Sequence, residues 1–239
     1  MPSTAARLRH VPHERVHLVL MLALTFSTGV VDAVGYLGLD KVFAGNMTGN
    51  VVVLGMAAAR AENLPLAGPA IALAGFLSGA LAGGRVLRPV ASGHWSRRIG
   101  AVFGTVGLIL AVLAVVLFIV GQALPTATLL VVVLLLAVAM GAQAAAARHL
   151  AVKDITTVVV TSLITGLAAD AAVTGTRQPW PRRVSALALI SLGALVGALT
   201  LRLHAGLGLG LSAVLTLLVA AIGTATWSAR KDPSSVDGE

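Results

Sequence analysis

Six long apolar stretches dominate the pattern of hydrophobic and polar positions along this chain. They cover residues 18–39, 64–87, 99–121, 127–147, 184–203 and 206–228. Each is close to the roughly 20 apolar residues that a helix needs to cross a bilayer. The pattern therefore predicts an all-α fold, a bundle of membrane helices in which six helices span the bilayer.

Two shorter stretches, 43–60 and 155–172, combine apolar residues with Thr, Asn and Gly. Polar groups survive at membrane depth only where protein or a water-filled cavity surrounds them. Short, Gly-interrupted segments at matching places in two halves are typical of transporters whose site lies at the repeat interface. We therefore expect two broken or re-entrant segments. In the alternative, both segments cross and give eight helices in a parallel repeat.

The basic residues favour the arrangement with six spans. If the N-terminus is cytoplasmic and neither short segment crosses, 14 of the 17 Lys and Arg residues lie on the cytoplasmic side. If both segments cross, the split becomes 9 against 8. Cytoplasmic loops of membrane proteins carry an excess of Lys and Arg. The distribution predicts that both termini are cytoplasmic.

The composition excludes an ordinary soluble domain, because 57% of the residues are hydrophobic, 11% are charged and the mean hydropathy is +0.95. The net charge of +8 comes from bases that flank apolar segments. This placement indicates contact with anionic membrane lipid and no nucleic-acid partner. The chain has no Cys, which removes disulfides and thiolate chemistry. We expect no cofactor and no metal.

Weak internal similarity divides the chain into a tail (1–17), a first membrane repeat (18–121), a second membrane repeat (122–228) and a C-terminal tail (229–239). Three matches follow in the same order: Gly29-Val30-Val31-Asp32-Ala33 with Gly141-Ala142-Gln143-Ala144-Ala145, Thr48-Gly49 with Thr161-Ser162, and Ser78-Gly79-Ala80-Leu81 with Val196-Gly197-Ala198-Leu199. Because three crossings separate equivalent positions, this pattern predicts an antiparallel internal repeat.

The stretch from Thr28 to Tyr36, followed by Val42-Phe43-Ala44 and Met47-Thr48-Gly49-Asn50, resembles the signature of the YoaK family of bacterial membrane proteins. Gly141-Ala142-Gln143 and the stretch from Thr157 to Gly166 resemble the family's second-half motif, in which an Asn usually follows the Gln. Ala144 occupies that position here. The resemblance implies a multi-pass protein of the bacterial cytoplasmic membrane, and it supplies no substrate.

Asp32 lies in the middle of an otherwise uncharged apolar helix. Placing a carboxylate there costs at least about 2.5–3.5 kcal/mol on insertion scales, so something must offset that cost. We interpret Asp32 as a proton or cation site, or as the partner of a cationic substrate. In the alternative, the carboxyl group stays protonated or bonds Thr and Asn groups, and only fixes helix packing.

Asn46, Thr48 and Asn50 lie where a loop becomes a helix, and free N–H groups there suit an anionic or polar solute. The alternative is ordinary helix capping. In the second half, Thr residues take the same part and Gln143 is the neutral counterpart of Asp32, unless these Thr residues only bond between helices. The predicted substrate site comprises Asp32, Asn46, Thr48, Asn50, Gln143, Thr156, Thr157 and Thr161.

Gly75, Gly79 and Gly83 lie on one face of a predicted helix, which lets two backbones approach closely. We expect packing inside the bundle. The alternative is a homo-oligomer whose subunits meet through these Gly-x-x-x-Gly faces. His10, His13 and His17 have helical spacing, but no acid completes a metal site.

Hydrolase, P-loop and dinucleotide motifs are absent from the sequence, so we expect no enzyme. The sequence thus predicts a small-solute transporter or channel with a central polar site and proton or cation coupling. The alternative is a non-transporting membrane scaffold or accessory protein, in which the same polar groups serve only helix packing.

Overall fold

The computed structural model describes residues 13–60, 64–121, 124–150, 164–165 and 180–231. Seven helices have both bounds in these ranges, which contain no strand. They are α1 (His13–Gly38), α2 (Met47–Ala58), α3 (Ala67–Leu87), α4 (Arg97–Val120), α5 (Thr126–Leu150), α6 (Trp180–Leu203) and α7 (Ala205–Lys231). The predicted all-α class is confirmed.

Six of these helices are long and apolar enough to cross a membrane, and they match the six predicted spans within a few residues at most ends. The exception is α2. Its 12 residues correspond to about 18 Å, well short of the roughly 30 Å of a bilayer core. The second short segment, 155–172, lies outside the described residues apart from 164–165, so its path stays a prediction.

The first short segment enters and leaves the bundle at one end of α1. Asp40 and Lys41 follow α1 in the left-handed conformation, with φ of 61° and 56°, and they reverse the chain. The returning loop lies so close to α1 that a Cβ at Gly35 would be 2.5 Å from the carbonyl oxygen of Val42. Gly68, in the first turn of α3, lies against Val42 as well. This path agrees with the re-entrant segment that the sequence predicts for residues 43–60.

The main contacts between long helices join α1 to α6, α3 to α5 and α4 to α7. Helices α1 and α6 run parallel, because Gly29 lies beside Ile190 while Gly38 lies beside Leu201. Helices α4 and α7 run antiparallel. Pairing of distant helices in this way gives a bundle in which α1 contacts the second half of the chain more than the first.

The glycine stripe of α3 packs on α5. Gly75, Gly79 and Gly83 are all buried. A Cβ added at Gly79 would collide with the backbone of Val138, and one at Gly83 would lie 3.3 Å from Ala142. The expected packing inside the bundle is confirmed for this stripe, and a homo-oligomer stays a prediction.

The end of the bundle at which α1 begins is closed by an apolar cluster. Trp95, only 4% exposed, lies among residues from α1, α3, α4, α5 and α7. A Cβ at Gly223 would collide with the ring of Trp95, so the indole fills the space that this glycine leaves. A second cluster of buried aliphatic side chains fills the middle of the bundle and its other end.

Candidate functional site

Asp32 receives three hydrogen bonds from the loop that precedes α2. Its Oδ1 accepts the backbone N–H groups of Ala44 at 2.9 Å, Gly45 at 2.7 Å and Asn46 at 3.4 Å. All the hydrogen bonds that Asp32 makes with described residues end on this one oxygen. Asp32 itself is half-buried in α1.

This geometry gives the loop N–H groups an internal partner. The N-terminus of a helix carries unpaired N–H groups and a partial positive charge, which favour an anion. Here the anion is the carboxylate of Asp32, since a carboxylate is an acceptor and bonds of this type are strong. The N–H groups before α2 therefore point at Asp32, while the binding of a solute at this turn stays a prediction.

Asn46 and Asn50 hold the re-entrant segment together. The side chain of Asn46 caps α2 by accepting the N–H of Gly49 at 3.3 Å. Asn50 is fully buried, accepts the N–H of Phe43 at 2.9 Å and donates to the carbonyl of Phe43 at 2.6 Å. These contacts agree with the capping alternative. The third candidate of this turn, Thr48, lies exposed on α2.

Gln143 of α5 reaches α1 through Thr28. Its Nε2 donates to Thr28 Oγ1 at 3.3 Å, while the Thr28 hydroxyl donates to the carbonyl of Leu24 at 2.9 Å. Gln143 is 1% exposed, and its Oε1 is buried without a hydrogen-bond partner among the described residues. An unpaired buried acceptor costs about 1–3 kcal/mol, so this atom is unusual.

Thr28 was absent from the predicted site, although a signal was available. It precedes Asp32 by four residues, and residues at this spacing share one face of a helix. Gly45 joins the two: a Cβ added there would lie 2.9 Å from Thr28 Cγ2 and 3.5 Å from Asp32 Oδ1. Asp32, Thr28 and the loop at Gly45 therefore meet, and Gln143 is one hydrogen bond away.

Thr156, Thr157 and Thr161 lie outside the described residues, so their place beside Asp32 and Gln143 stays a prediction. A second polar contact joins α1 to α7, where Ser212 Oγ donates to the carbonyl of Ser27 at 3.4 Å. Both serines are fully buried. Within the described ranges, no group of three His, Asp or Glu side chains is placed to hold a metal ion.

Comparison with known proteins agrees with the resemblance seen in the sequence. Over 151 residues the chain is 30% identical to the UPF0700 transmembrane protein YoaK of Bacillus subtilis (strain 168). This match covers 63% of the chain and 65% of the relative. No solved structure matches the chain.

Residues 20–222 match a family described as a protein of unknown function, DUF1275. That range includes every described residue of the Asp32 and Gln143 site. Together with six helices long enough to span a bilayer, the match identifies a multi-pass membrane protein. The chain belongs to the DUF1275 family of YoaK-like membrane proteins.

Proposed function

We propose that this protein is a small-solute transporter or channel of the bacterial cytoplasmic membrane, without enzymatic activity and with both termini in the cytoplasm. The unpaired Oε1 of Gln143 carries the proposal, because the same amide bonds Thr28, which lies one helical turn before the intramembrane acid Asp32. Buried polar atoms in native proteins normally have a partner, which is protein, water or a ligand. Intramembrane acids, in turn, commonly mark ion or substrate pathways.

An antiparallel internal repeat is the second part of the proposal, and the glycine contacts support it. A Cβ at Gly29 would collide with the carbonyl of Ile190, and one at Gly141 with the carbonyl of Phe76. Each glycine also faces the backbone nitrogen four residues further on. Equivalent residues are thus 112 positions apart between α1 and α5, and 114 apart between α3 and α6. Inverted repeats of this kind are common in transporters.

The same displacements relate other contacts. The approach of Gly79 to the carbonyl of Val138 corresponds to the approach of Gly193 to the carbonyl of Phe26. Gly79 is therefore equivalent to Gly193. This register differs by one helical turn from the sequence match, which pairs Gly79 with Gly197, because α6 has two Gly-Ala-Leu steps, at Gly193 and Gly197, that resemble the one at Gly79.

The runner-up is a non-transporting scaffold or accessory protein. One observation favours it: the hydrogen bonds of Asp32, Asn46 and Asn50 with described residues all serve to hold the re-entrant segment. In that case the acid is a structural anchor for α2. The two functions make different demands on the charge of Asp32, because an amide at this position keeps an acceptor oxygen but has no titrating proton.

Flux through reconstituted vesicles separates the two functions. We expect the wild-type protein to carry protons or a coupled cation along an imposed gradient, followed with an internal pH-sensitive dye. Asp32→Asn should be made and inserted normally but lose this flux. Asp40→Asn is the matched control, because it exchanges the same two residue types at an exposed position beyond the end of α1. Wild-type flux no greater than that of protein-free vesicles would favour the scaffold, and equal flux in wild type and Asp32→Asn would make Asp32 a structural residue.

A further inference from the structure

We infer that the solute of this site is a small cation that donates hydrogen bonds, of the ammonium or protonated-amine class, and that Gln143 Oε1 is one of the atoms that recognise it. The inference rests on the proposed function, and it specifies the chemistry of the same site. Most donors around Asp32 and Thr28 are already paired, one acceptor is not, and the carboxylate makes the charge there negative.

The contact with Thr28 orients the Gln143 amide. The Thr28 hydroxyl has one proton, which it donates to the carbonyl of Leu24 at 2.9 Å. Toward Gln143, the Thr28 oxygen can therefore only accept. In the structure the amide group places its NH₂ against Thr28, at 3.3 Å, and this pairing leaves Oε1 on the other side. The unpaired atom is thus an acceptor, and only a donor can satisfy it.

The backbone donors near Asp32 have partners within the protein. The N–H groups of Ala44, Gly45 and Asn46 all donate to Asp32 Oδ1. The amide NH₂ of Asn50 donates to the carbonyl of Phe43. These donors are engaged within the protein. An anion entering here would find these backbone N–H groups and the Asn50 amide already engaged.

The charge at this site comes from Asp32. No basic side chain in the described part of the chain contacts Asp32, so its carboxylate faces only the dipoles of three N–H groups. Opposite charges attract more strongly at low dielectric, whereas a second anion close to Asp32 would be repelled. A cation with N–H groups supplies a donor to Gln143 Oε1 and a positive charge to the carboxylate. The unpaired acceptor and the negative charge therefore favour the same class of solute.

The test uses the full-length protein in vesicles adsorbed on a capacitive electrode, where a concentration jump of a transported ion gives a transient current. Methylammonium has N–H donors, tetramethylammonium has the same charge without them, and formate is a small anion. We expect currents with methylammonium, at least tenfold smaller currents with tetramethylammonium, and none with formate. Protein-free vesicles give the background from passive permeation.

Substitutions then test the named atom. Gln143→Leu removes the acceptor at similar volume, and Gln143→Met keeps the length of the side chain if the Leu variant is poorly folded. Both should lower the methylammonium current at least tenfold. Ser78→Ala, at an exposed position on α3, should leave it unchanged.

Several results would overturn the inference. They are currents with formate, equal currents with methylammonium and tetramethylammonium, or wild-type currents in both Gln143 variants. An absence of methylammonium current in vesicles that do show Asp32-dependent proton flux would also reject the solute class, while transport stands. Loss of both signals from well-inserted protein would reject transport itself.

Discussion

The helix pairs α1·α6 and α3·α5 have the same backbone contacts but different chemistry. In both pairs a glycine, Gly29 or Gly141, lies directly against the backbone of the partner helix. Three residues after each glycine, the first pair has Asp32 and the second has Ala144, whereas Gln143, the expected counterpart of Asp32, lies one position earlier. Small residues determine how closely two membrane helices approach, while a neighbouring position on the same helix determines which polar group faces the bundle.

The polar groups of both pairs nevertheless converge on α1. Asp32 belongs to α1, and Gln143 of α5 bonds Thr28 of α1. The contact between Gly45 and Thr28 brings the re-entrant segment to the same place. A pair of similar packing units can therefore serve one site that is not itself symmetric. The following predictions separate the shared packing from the unshared chemistry.

The largest effect should come from Gly79→Leu. A side chain at this position would be forced into the backbone of Val138, and overpacking of this kind costs about 1–3 kcal/mol or somewhat more. Gly193→Leu should lose a similar amount of stability, because its neighbour is the backbone of Phe26. Thermal unfolding of the protein in detergent measures both changes in stability.

Gly84→Leu is the control for this prediction. It introduces the same side chain on α3, but nothing lies within 4 Å of the Cβ position. Its melting temperature should be close to that of the wild type. If Gly79→Leu melted with Gly84→Leu, or if Gly193→Leu were harmless, the two helix pairs would not share their packing.

Asp32→Leu should be the next largest change. It leaves the N–H groups of Ala44, Gly45 and Asn46 without their acceptor, and each unpaired buried group costs about 1–3 kcal/mol. Removal of a costly intramembrane acid offsets part of this loss. We expect a net destabilisation of about 2 kcal/mol in thermal unfolding and faster proteolysis near α2. Asp32→Asn, which retains an acceptor, should lose less stability than Asp32→Leu.

Asn50→Leu should cause the third largest loss of stability. The side chain of Asn50 is fully buried and pairs with both the N–H and the carbonyl of Phe43. Its replacement leaves two backbone groups without these partners, so we expect a loss of about 1–2 kcal/mol in the same unfolding assay. A wild-type melting curve would mean that the re-entrant segment does not contribute to the stability of the bundle.

Thr48→Val should have the smallest effect. Thr48 is exposed on α2, and substitutions at such positions usually change stability by no more than about 0.5 kcal/mol. If Thr48 bonds the solute, the variant should instead weaken binding by about 0.5–1.5 kcal/mol with unchanged melting. Parallel measurement of methylammonium currents and of unfolding distinguishes a binding role from no role.

The six spans and the short α2 could be predicted from the sequence because length and apolar composition are local properties. Asn46 is also recognisable as a helix cap. The partners of Asp32 could not be predicted. They depend on the sharp reversal at Asp40 and Lys41, where two successive left-handed residues include no glycine, so Asp40 alone is a weak turn signal.

The repeat register and the unpaired oxygen of Gln143 have a similar explanation. The Gly-Ala-Leu step at Gly79 of α3 fits those at Gly193 and Gly197 of α6 equally well in sequence, and the contact of Gly193 with the backbone of Phe26 favours the pairing of Gly79 with Gly193. Whether an amide oxygen is paired depends on which helices surround it. That information is tertiary, and the residue types near Gln143 do not contain it.

The close spacing of Asp32 and its donors also bears on the order in which this protein is made. The three N–H groups that bond the carboxylate follow it by only 12, 13 and 14 residues. They leave the ribosome within seconds of α1, since synthesis proceeds at about 5–20 residues per second. The bond from Gln143 to Thr28, in contrast, waits for a residue 115 positions later. We therefore expect the nascent first half to stabilise its own acid during membrane insertion, and the second half to complete a site that is already charged.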